Sequence, residues 1–169
     1  MKESLSKIDT IITGNLKLTI VIVSIFFSVG IAGMTVPLTR PLFIKLIPYT
    51  LVACFLLLML FHDDKWNKRT VVFFSGVFVL SWIIEAAGVN TGIIFGEYSY
   101  GNGLAIKMLG TPLIIGLNWV FLLYTTSCIT AQMSLKPYLA VPVASLLMVL
   151  YDFVMEPAAP VLDMWVFDG

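Results

Sequence analysis

The sequence predicts an all-α integral membrane protein, a bundle of about five transmembrane helices with an inward-folded loop after the third helix. Of its 169 residues, 59% are hydrophobic and only 12% are charged, which is too few charges to cover a soluble domain of this length. The mean hydropathy is +0.98. The apolar residues also form five runs, each close to the about 20 residues that a helix needs to cross the hydrocarbon core.

Turn-forming residues divide the chain where these runs stop. Pro37 and Pro41 separate the first two runs, and the charged stretch "HDDKWNKR" makes a short turn after the second. Pro112 lies where the start of a helix tolerates proline, while "MSLKP" and "EPAAP" bound the fifth run. No internal repeat or low-complexity linker interrupts the pattern, so residues 1–169 are predicted to form a single transmembrane helical domain. The predicted helices are 16–34, 42–61, 71–89, 112–131 and 137–155.

The distribution of basic residues predicts the orientation, because cytoplasmic loops of membrane proteins are enriched in Lys and Arg. One side of this chain carries seven such residues and the other side three, so we expect an integral protein of the cell membrane with a cytoplasmic N-terminus. The tail "MKESLSKIDTIITGNLK" is too long and polar for the start of a signal peptide, so the first run is predicted to be a retained helix. The seven are Lys2, Lys7, Lys17, Lys65, Lys68, Arg69 and Lys136, and the three are Arg40, Lys45 and Lys107.

The charge balance and the cysteines exclude other classes of function. The formal net charge is zero, so a nucleic-acid partner is not expected. Cys54 and Cys128 are isolated within apolar runs, where a free cysteine packs as a small hydrophobe, and His62 is the only histidine. These residues lack metal-ligand spacing, and no metal site is predicted.

Acidic residues are predicted to gather at one end of the bundle. The third and fifth helices are both odd-numbered, so their C-terminal ends emerge on the same side of the membrane. Glu85 lies near the end of the third helix, and Asp152 and Glu156 lie near the end of the fifth. Glu97 lies in the loop that starts from this side, and Asp163 follows the fifth helix. Five of the ten acids in the chain are therefore expected close to one membrane boundary.

This acidic cluster suggests acid catalysis. A carboxylate is costly near hydrocarbon, and Asp152 and Glu156 are four residues apart on one helix face, where they repel each other. A carboxyl group that stays protonated near neutral pH acts as a general acid. Glu97, Glu156 and Asp163 could instead be solvated at the interface and inert. Intramembrane acids such as Glu85 and Asp152 are more often functional or paired.

The stretch "GVNTGIIFGEYSYGNG" after the third helix predicts the inward-folded loop. Its glycines at 88, 92 and 96 recur at a four-residue spacing, a weak helix-packing pattern, but a loop folded back against the bundle fits the composition equally well. Such a loop would present Phe95, Tyr98 and Tyr100 as an aromatic wall for a long apolar ligand. The alternative places these rings in the interfacial aromatic belt. Asn118 and Trp119 are expected about two turns into the fourth helix, either near this site or as an interhelical hydrogen bond and an interfacial anchor.

The segments "EAAGVNTGIIFGEYSY…LGTPLIIGLNW" and "LLMVLYDFVMEPAAPVLDMWVF" resemble the carotenoid biosynthesis membrane-protein family, whose characterised members include hydratases of acyclic carotenoid pathways such as that of bacterioruberin. The resemblance covers about Ser81 to Phe167. Family members usually continue into at least one further helix, whereas this sequence ends at "WVFDG", so it is either a shorter branch or part of a longer chain.

The resemblance implies an enzyme that adds water to the terminal C=C bond of an acyclic carotenoid, giving a tertiary alcohol without a metal or organic cofactor. The expected partners are the acyclic carotenoid substrate and membrane lipid. Asp152 or Glu85 is the expected proton donor, with Glu97 and Glu156 as alternates. The expected substrate-binding residues are Asn90, Phe95, Tyr98, Tyr100, Asn118 and Trp119.

Two other functions remain open on the residues alone. Intramembrane acids also make the proton relays of small transporters and channels, and a non-catalytic subunit would bind carotenoid or lipid and leave it unchanged. Transport favours acids distributed through the depth of the bilayer. Because the acids of this chain crowd one side, the pattern favours chemistry at an interface.

Overall fold

Five helices, each long and apolar enough to cross a membrane, dominate this computed structural model, which describes residues 14–62 and 67–167. This confirms the predicted fold class, and each helix overlaps its predicted range. The tail before residue 14 and residues 63–66, which hold part of the basic residues behind the predicted orientation, lie outside the described residues, and the orientation stays a prediction. The helices are α1 (Leu16–Thr35), α2 (Arg40–Leu60), α3 (Lys68–Thr91), α4 (Ile114–Gln132) and α5 (Pro137–Met155).

The chain divides into two compact units, of which the first contains α1 and α2. A tight turn joins these two helices. Thr39 Oγ1 donates a hydrogen bond to the carbonyl of Gly33 over 2.8 Å, and Arg40 Nε donates one to the carbonyl of Met34 over 2.9 Å. These carbonyls belong to the last turn of α1 and have no partner within the helix, so the turn satisfies them.

The second unit contains α3, α4 and α5, and α4 packs against both of the other helices. Asn67 caps the start of α3 by accepting a hydrogen bond from the backbone N–H of Thr70 over 2.9 Å. Gly92 directly follows the helix and caps its C-terminal end, with a φ of +66°, the left-handed conformation that glycine adopts without steric cost. No residue of α5 is buried, so this apolar helix leaves much of its surface available to lipid.

A cap, formed by the loop 93–113 and the segment 156–167, covers one end of the second unit. Its two parts are joined by an antiparallel ribbon, in which β1 (Tyr98–Tyr100) pairs with β4 (Trp165–Phe167). A smaller ribbon within the loop pairs β2 (Lys107–Met108) with β3 (Thr111–Pro112). Because Thr111 and Pro112 belong to β3, α4 begins at Ile114, later than predicted.

Three apolar side chains of the cap show that it is packed rather than extended into solvent. Leu104, Ala159 and Met164 are 1%, 0% and 6% exposed, fractions typical of a protein core. Together with the burial of Tyr98 at 6% exposed, this confirms the predicted inward fold of the loop after the third helix.

Candidate functional site

A cavity of about 610 Å³ lies where the cap meets the ends of α3, α4 and α5. This volume is in the range of small-molecule sites. One wall is formed by aromatic rings of the cap, and the opposite walls are formed by the three helices. The rings of the cap that line the cavity are those of Phe95, Tyr98, Tyr100, Trp165 and Phe167.

Glu85 is the buried acid of this cavity, and its side chain is 8% exposed. The hydroxyl of Tyr98 donates a hydrogen bond to Glu85 Oε1 over 2.5 Å, and the hydroxyl of Tyr100 donates to the same oxygen over 2.6 Å. These distances are in the range of hydrogen bonds from a hydroxyl to a carboxylate. Oε1 of Glu85 thus accepts two hydrogen bonds, which hold the carboxyl group in one orientation towards the loop.

The β1 strand places both tyrosines on this carboxylate. Successive side chains of a strand point to opposite faces, so Tyr98 and Tyr100 share the face towards Glu85 and Ser99 points the other way. The ribbon supports both rings from the facing strand. Tyr98 lies opposite Phe167 with ring centroids 5.4 Å apart, and Tyr100 lies opposite Trp165 at 6.4 Å.

The α3 helix is shaped to receive this loop. Phe95 packs edge-on against Tyr98 with ring centroids 6.4 Å apart, and its ring lies directly over Gly88 of α3. A Cβ atom at position 88 would lie only 2.6 Å from the Phe95 ring. Glycine at this position therefore allows the loop to approach Glu85, which lies almost one turn earlier on the same helix.

The two tyrosines are held in their neutral form. Burial, and then the neighbouring Glu85 carboxylate, raise the pKa of both Tyr98 and Tyr100 above the ordinary range. Both hydroxyls therefore keep their protons and donate hydrogen bonds to Glu85 throughout the physiological pH range.

Asp152 lines the cavity from α5, and Glu156 lines it from the residue that directly follows this helix. They are one helical turn apart, and Ser145 lines it from two turns before Asp152 on the same face. Asp152 lies within electrostatic reach of both Glu85 and Glu156. No Lys or Arg lines the cavity, so the described part of the site is acidic without a compensating cation. Among the described residues, no group of three or more His, Cys, Asp or Glu side chains has the arrangement of a metal site.

The α4 helix contributes the third wall. Asn118 and Trp119 both line the cavity, and Ile115 and Leu122, one turn before and after them, make the wall apolar on either side. Asn118 is thus the one amide among apolar and aromatic neighbours on this wall, with a hydrogen-bonding group available to a polar ligand or to water.

Two of the predicted site residues lie outside the cavity lining. Asn90 uses its side-chain amide within the fold, donating to the carbonyls of Ala86 over 2.7 Å and Leu109 over 2.9 Å, which fastens the loop to the end of α3. Glu97 is exposed and lies next to Tyr98, whose side chain points inward. The structure therefore brings together Glu85, Asp152 and Glu156 but leaves Glu97 apart from them.

Sequence reasoning missed several lining residues after and within the fifth helix. Trp165 and Phe167 belong to β4 and face the cavity, and Ser145 and Met148 line it from α5. The two aromatic residues of "WVF" alternate with a valine, but three residues are too few to predict a strand from the sequence. Nothing in the sequence around Ser145 distinguishes it from other small residues in helices.

Comparison with known proteins identifies a family. The family model described as "Carotenoid biosynthesis protein" matches residues 43–169, which is well over half of the chain and includes every residue that lines the cavity. No curated protein and no solved structure matches the chain.

Proposed function

The chain belongs to the carotenoid biosynthesis protein family, and from this premise we propose that it is a hydratase that adds water to the terminal C=C bond of an acyclic carotenoid. The observation that carries the proposal is the pair of opposed acids in an aromatic cavity. Glu85 is held by two tyrosine hydroxyls, and Asp152 faces the same space. A reaction that needs one acid and one base within reach of an apolar end group fits this arrangement.

The first step is proton transfer to the alkene. We assign the proton donor to Asp152 and the base to Glu85, because two hydroxyls donate hydrogen bonds to Glu85, whereas among the described residues none donates one to the Asp152 carboxyl. The proton goes to the less substituted carbon of the terminal double bond, whose π electrons form the new C–H bond. The other carbon becomes a tertiary cation, and Asp152 becomes a carboxylate.

The second step is capture of the cation by water. The faces of the cap rings stabilise a passing cation, and the fixed charge of Glu85 stabilises it where it develops. A water molecule on the free side of the Glu85 carboxylate attacks the cation, forms the C–O bond and gives its proton to Glu85. The product is a tertiary alcohol, and return of this proton from Glu85 to Asp152 restores the site, so the step consumes only alkene and water.

Access for a lipid-dissolved substrate is proposed along α5. Val149 and Phe153 line the cavity but are 63% and 71% exposed on the surface of the unit. Since these side chains are also part of the apolar exterior of a membrane-spanning helix, the cavity wall is the same surface that meets lipid. The end of an extended apolar chain can reach the acids from the bilayer without crossing water.

Production of the protein in a lycopene-accumulating host tests the proposal. Mass analysis of the extracted pigment is expected to show products that have gained the mass of one water per modified end. Glu85→Gln and Asp152→Asn keep the side-chain shapes but remove the base and the donor, so each should abolish these products. Glu97→Gln is the matched control and should hydrate normally, because Glu97 lies outside the cavity. Unchanged pigment with the wild-type protein present in the membrane would contradict the proposal. If the protein carries protons across the membrane and leaves the pigment unmodified, the result would favour a transporter.

A further inference from the structure

Asp163 lies in the cap but takes no part in lining the cavity. It follows α5 and directly precedes the residues that lead into β4. Its φ of +53° is in the left-handed region, which is uncommon for residues other than glycine but tolerated by Asn and Asp. A residue held in this conformation is usually fixed by its surroundings, and the contacts of Asp163 identify what fixes it.

Asp163 binds the turn that follows β1. Its Oδ2 accepts a hydrogen bond from the backbone N–H of Asn102 over 3.0 Å, and its backbone carbonyl accepts one from Gly103 over 2.7 Å. The next residue continues the contact, since the carbonyl of Met164 accepts from Gly101 over 2.9 Å. Three consecutive N–H groups of the turn are thereby satisfied by two consecutive residues of the other part of the cap.

The turn is built to receive this contact. A Cβ atom at Gly101 would collide with the side chain and backbone of Asp163, and one at Gly103 would collide with the carbonyls of Leu162 and Asp163. Both glycines are therefore needed for the close approach. We call the three hydrogen bonds that join the turn "GNG" (residues 101–103) to Asp163 and Met164 the clasp.

The clasp is adjacent to the pair that ends the ribbon. Tyr100 is the last residue of β1 and lies opposite Trp165, the first residue of β4. Gly101 of the clasp directly follows β1, and Met164 directly precedes β4. The clasp thus fixes the register in which β1 runs along β4. A shift of one residue would turn both tyrosines away from Glu85, because strand side chains alternate between faces.

We propose that Asp163 is a positioning residue of the enzyme: its carboxylate closes the clasp, and the clasp holds the hydroxyls of Tyr98 and Tyr100 on Glu85. The catalytic part of this inference rests on the proposed hydratase function. The part that concerns the cap does not, and the two are tested by separate measurements.

Three substitutions distinguish the contribution of the Asp163 carboxylate from that of its left-handed backbone conformation. Asp163→Asn keeps an acceptor oxygen and tolerates the left-handed conformation, so it should retain most activity. Asp163→Gly adopts that conformation freely but has no acceptor, so its rate of hydration is expected to fall about threefold to tenfold, the value of one hydrogen bond. Asp163→Ala lacks the acceptor and is also strained, so it should fall at least as far. Carotenoid bound per protein should stay unchanged, because Asp163 is outside the cavity.

The rate at which a disulfide forms across the ribbon reports how firmly the clasp holds the two strands together, and it needs no enzyme assay. Ser99 lies opposite Val166, and both point away from the cavity, at a spacing that antiparallel partners share with disulfide-linked residues. In a chain with Cys54→Ala and Cys128→Ala, the pair Ser99→Cys and Val166→Cys should cross-link readily under mild oxidation. Adding Asp163→Gly should slow cross-linking by about the same threefold to tenfold factor.

The cross-link also provides a reversible rescue of the clasp. Once formed, the disulfide replaces the clasp, so it should restore hydration in the Asp163→Gly chain, and a reducing agent should remove the restoration. Equal cross-linking rates with and without Asp163→Gly would overturn the clasp. Slower cross-linking with undiminished hydration, or a disulfide that forms without rescue, would overturn the positioning role. If the wild-type chain hydrates no carotenoid, the proposed function fails, and the cross-linking rates alone decide on the clasp.

Discussion

The two hydroxyls on Glu85 make a quantitative prediction. Tyr98→Phe and Tyr100→Phe each remove one hydrogen bond to Oε1 but keep the rings, so the contacts of Tyr98 with Phe167 and of Tyr100 with Trp165 persist. A hydrogen bond to a charged group is worth about 1.5–3 kcal/mol, which corresponds to roughly tenfold to hundredfold in a rate. Because the hydroxyls share one oxygen, each partly compensates for loss of the other.

The single variants should therefore lie at the low end of this range, about tenfold below the wild type in the initial rate of hydration. The double variant leaves a buried carboxylate without its donors and should fall about a hundredfold or more, because coupled residues are not additive. The assay is the initial rate of formation of hydrated pigment in isolated membranes at equal protein content. Tyr49→Phe, at a tyrosine that is 70% exposed in the first unit, is the matched control and should be silent. A double variant that works at the wild-type rate would refute the role of these hydrogen bonds.

Two further predictions concern the pH dependence of stability and the anchoring of the loop. Burial and Glu85 raise the pKa of Tyr98 and Tyr100, so above about pH 10, where unfolded tyrosine ionises, the folded state binds more protons than the unfolded state. Thermal unfolding in detergent should therefore show the wild type losing stability relative to the double phenylalanine variant as the pH rises past this value; a constant difference would contradict the raised pKa. Asn90→Ala removes two hydrogen bonds to carbonyls and should lower stability by about 1–3 kcal/mol, read from the same unfolding curves, whereas an unchanged midpoint would show that the amide does not anchor the loop.

Helix positions were predictable because membrane-spanning runs are long and their composition alone identifies them. The strands were not, since β1 and β4 have three residues each and β2 and β3 have two. Segments of this length carry no readable period. What stabilises them is contact between residues far apart in the chain, such as Tyr100 with Trp165.

The acidic cluster was predictable only in part, for a geometric reason. The parity of the helices fixes the end at which a helical residue lies, so Glu85, Asp152 and Glu156 could be grouped from the sequence. It says nothing about the direction of a side chain in a loop at that end. The sequence places Glu97 and Asp163 at the same end of the bundle and does not distinguish their roles. In the structure Glu97 is exposed, whereas Asp163 joins the two parts of the cap.

The pairing of β1 with β4 also sets the order of events when the protein is made. The ribbon joins residues 98–100 to residues 165–167, and a ribosome that adds about 5–20 residues per second needs several seconds to travel between them. During that interval α4 and α5 are synthesised, while β1 has no strand to pair with. A newly made chain therefore passes through a stage in which its helices are complete but its ribbon is not, and the cavity lacks its aromatic wall until that stage ends.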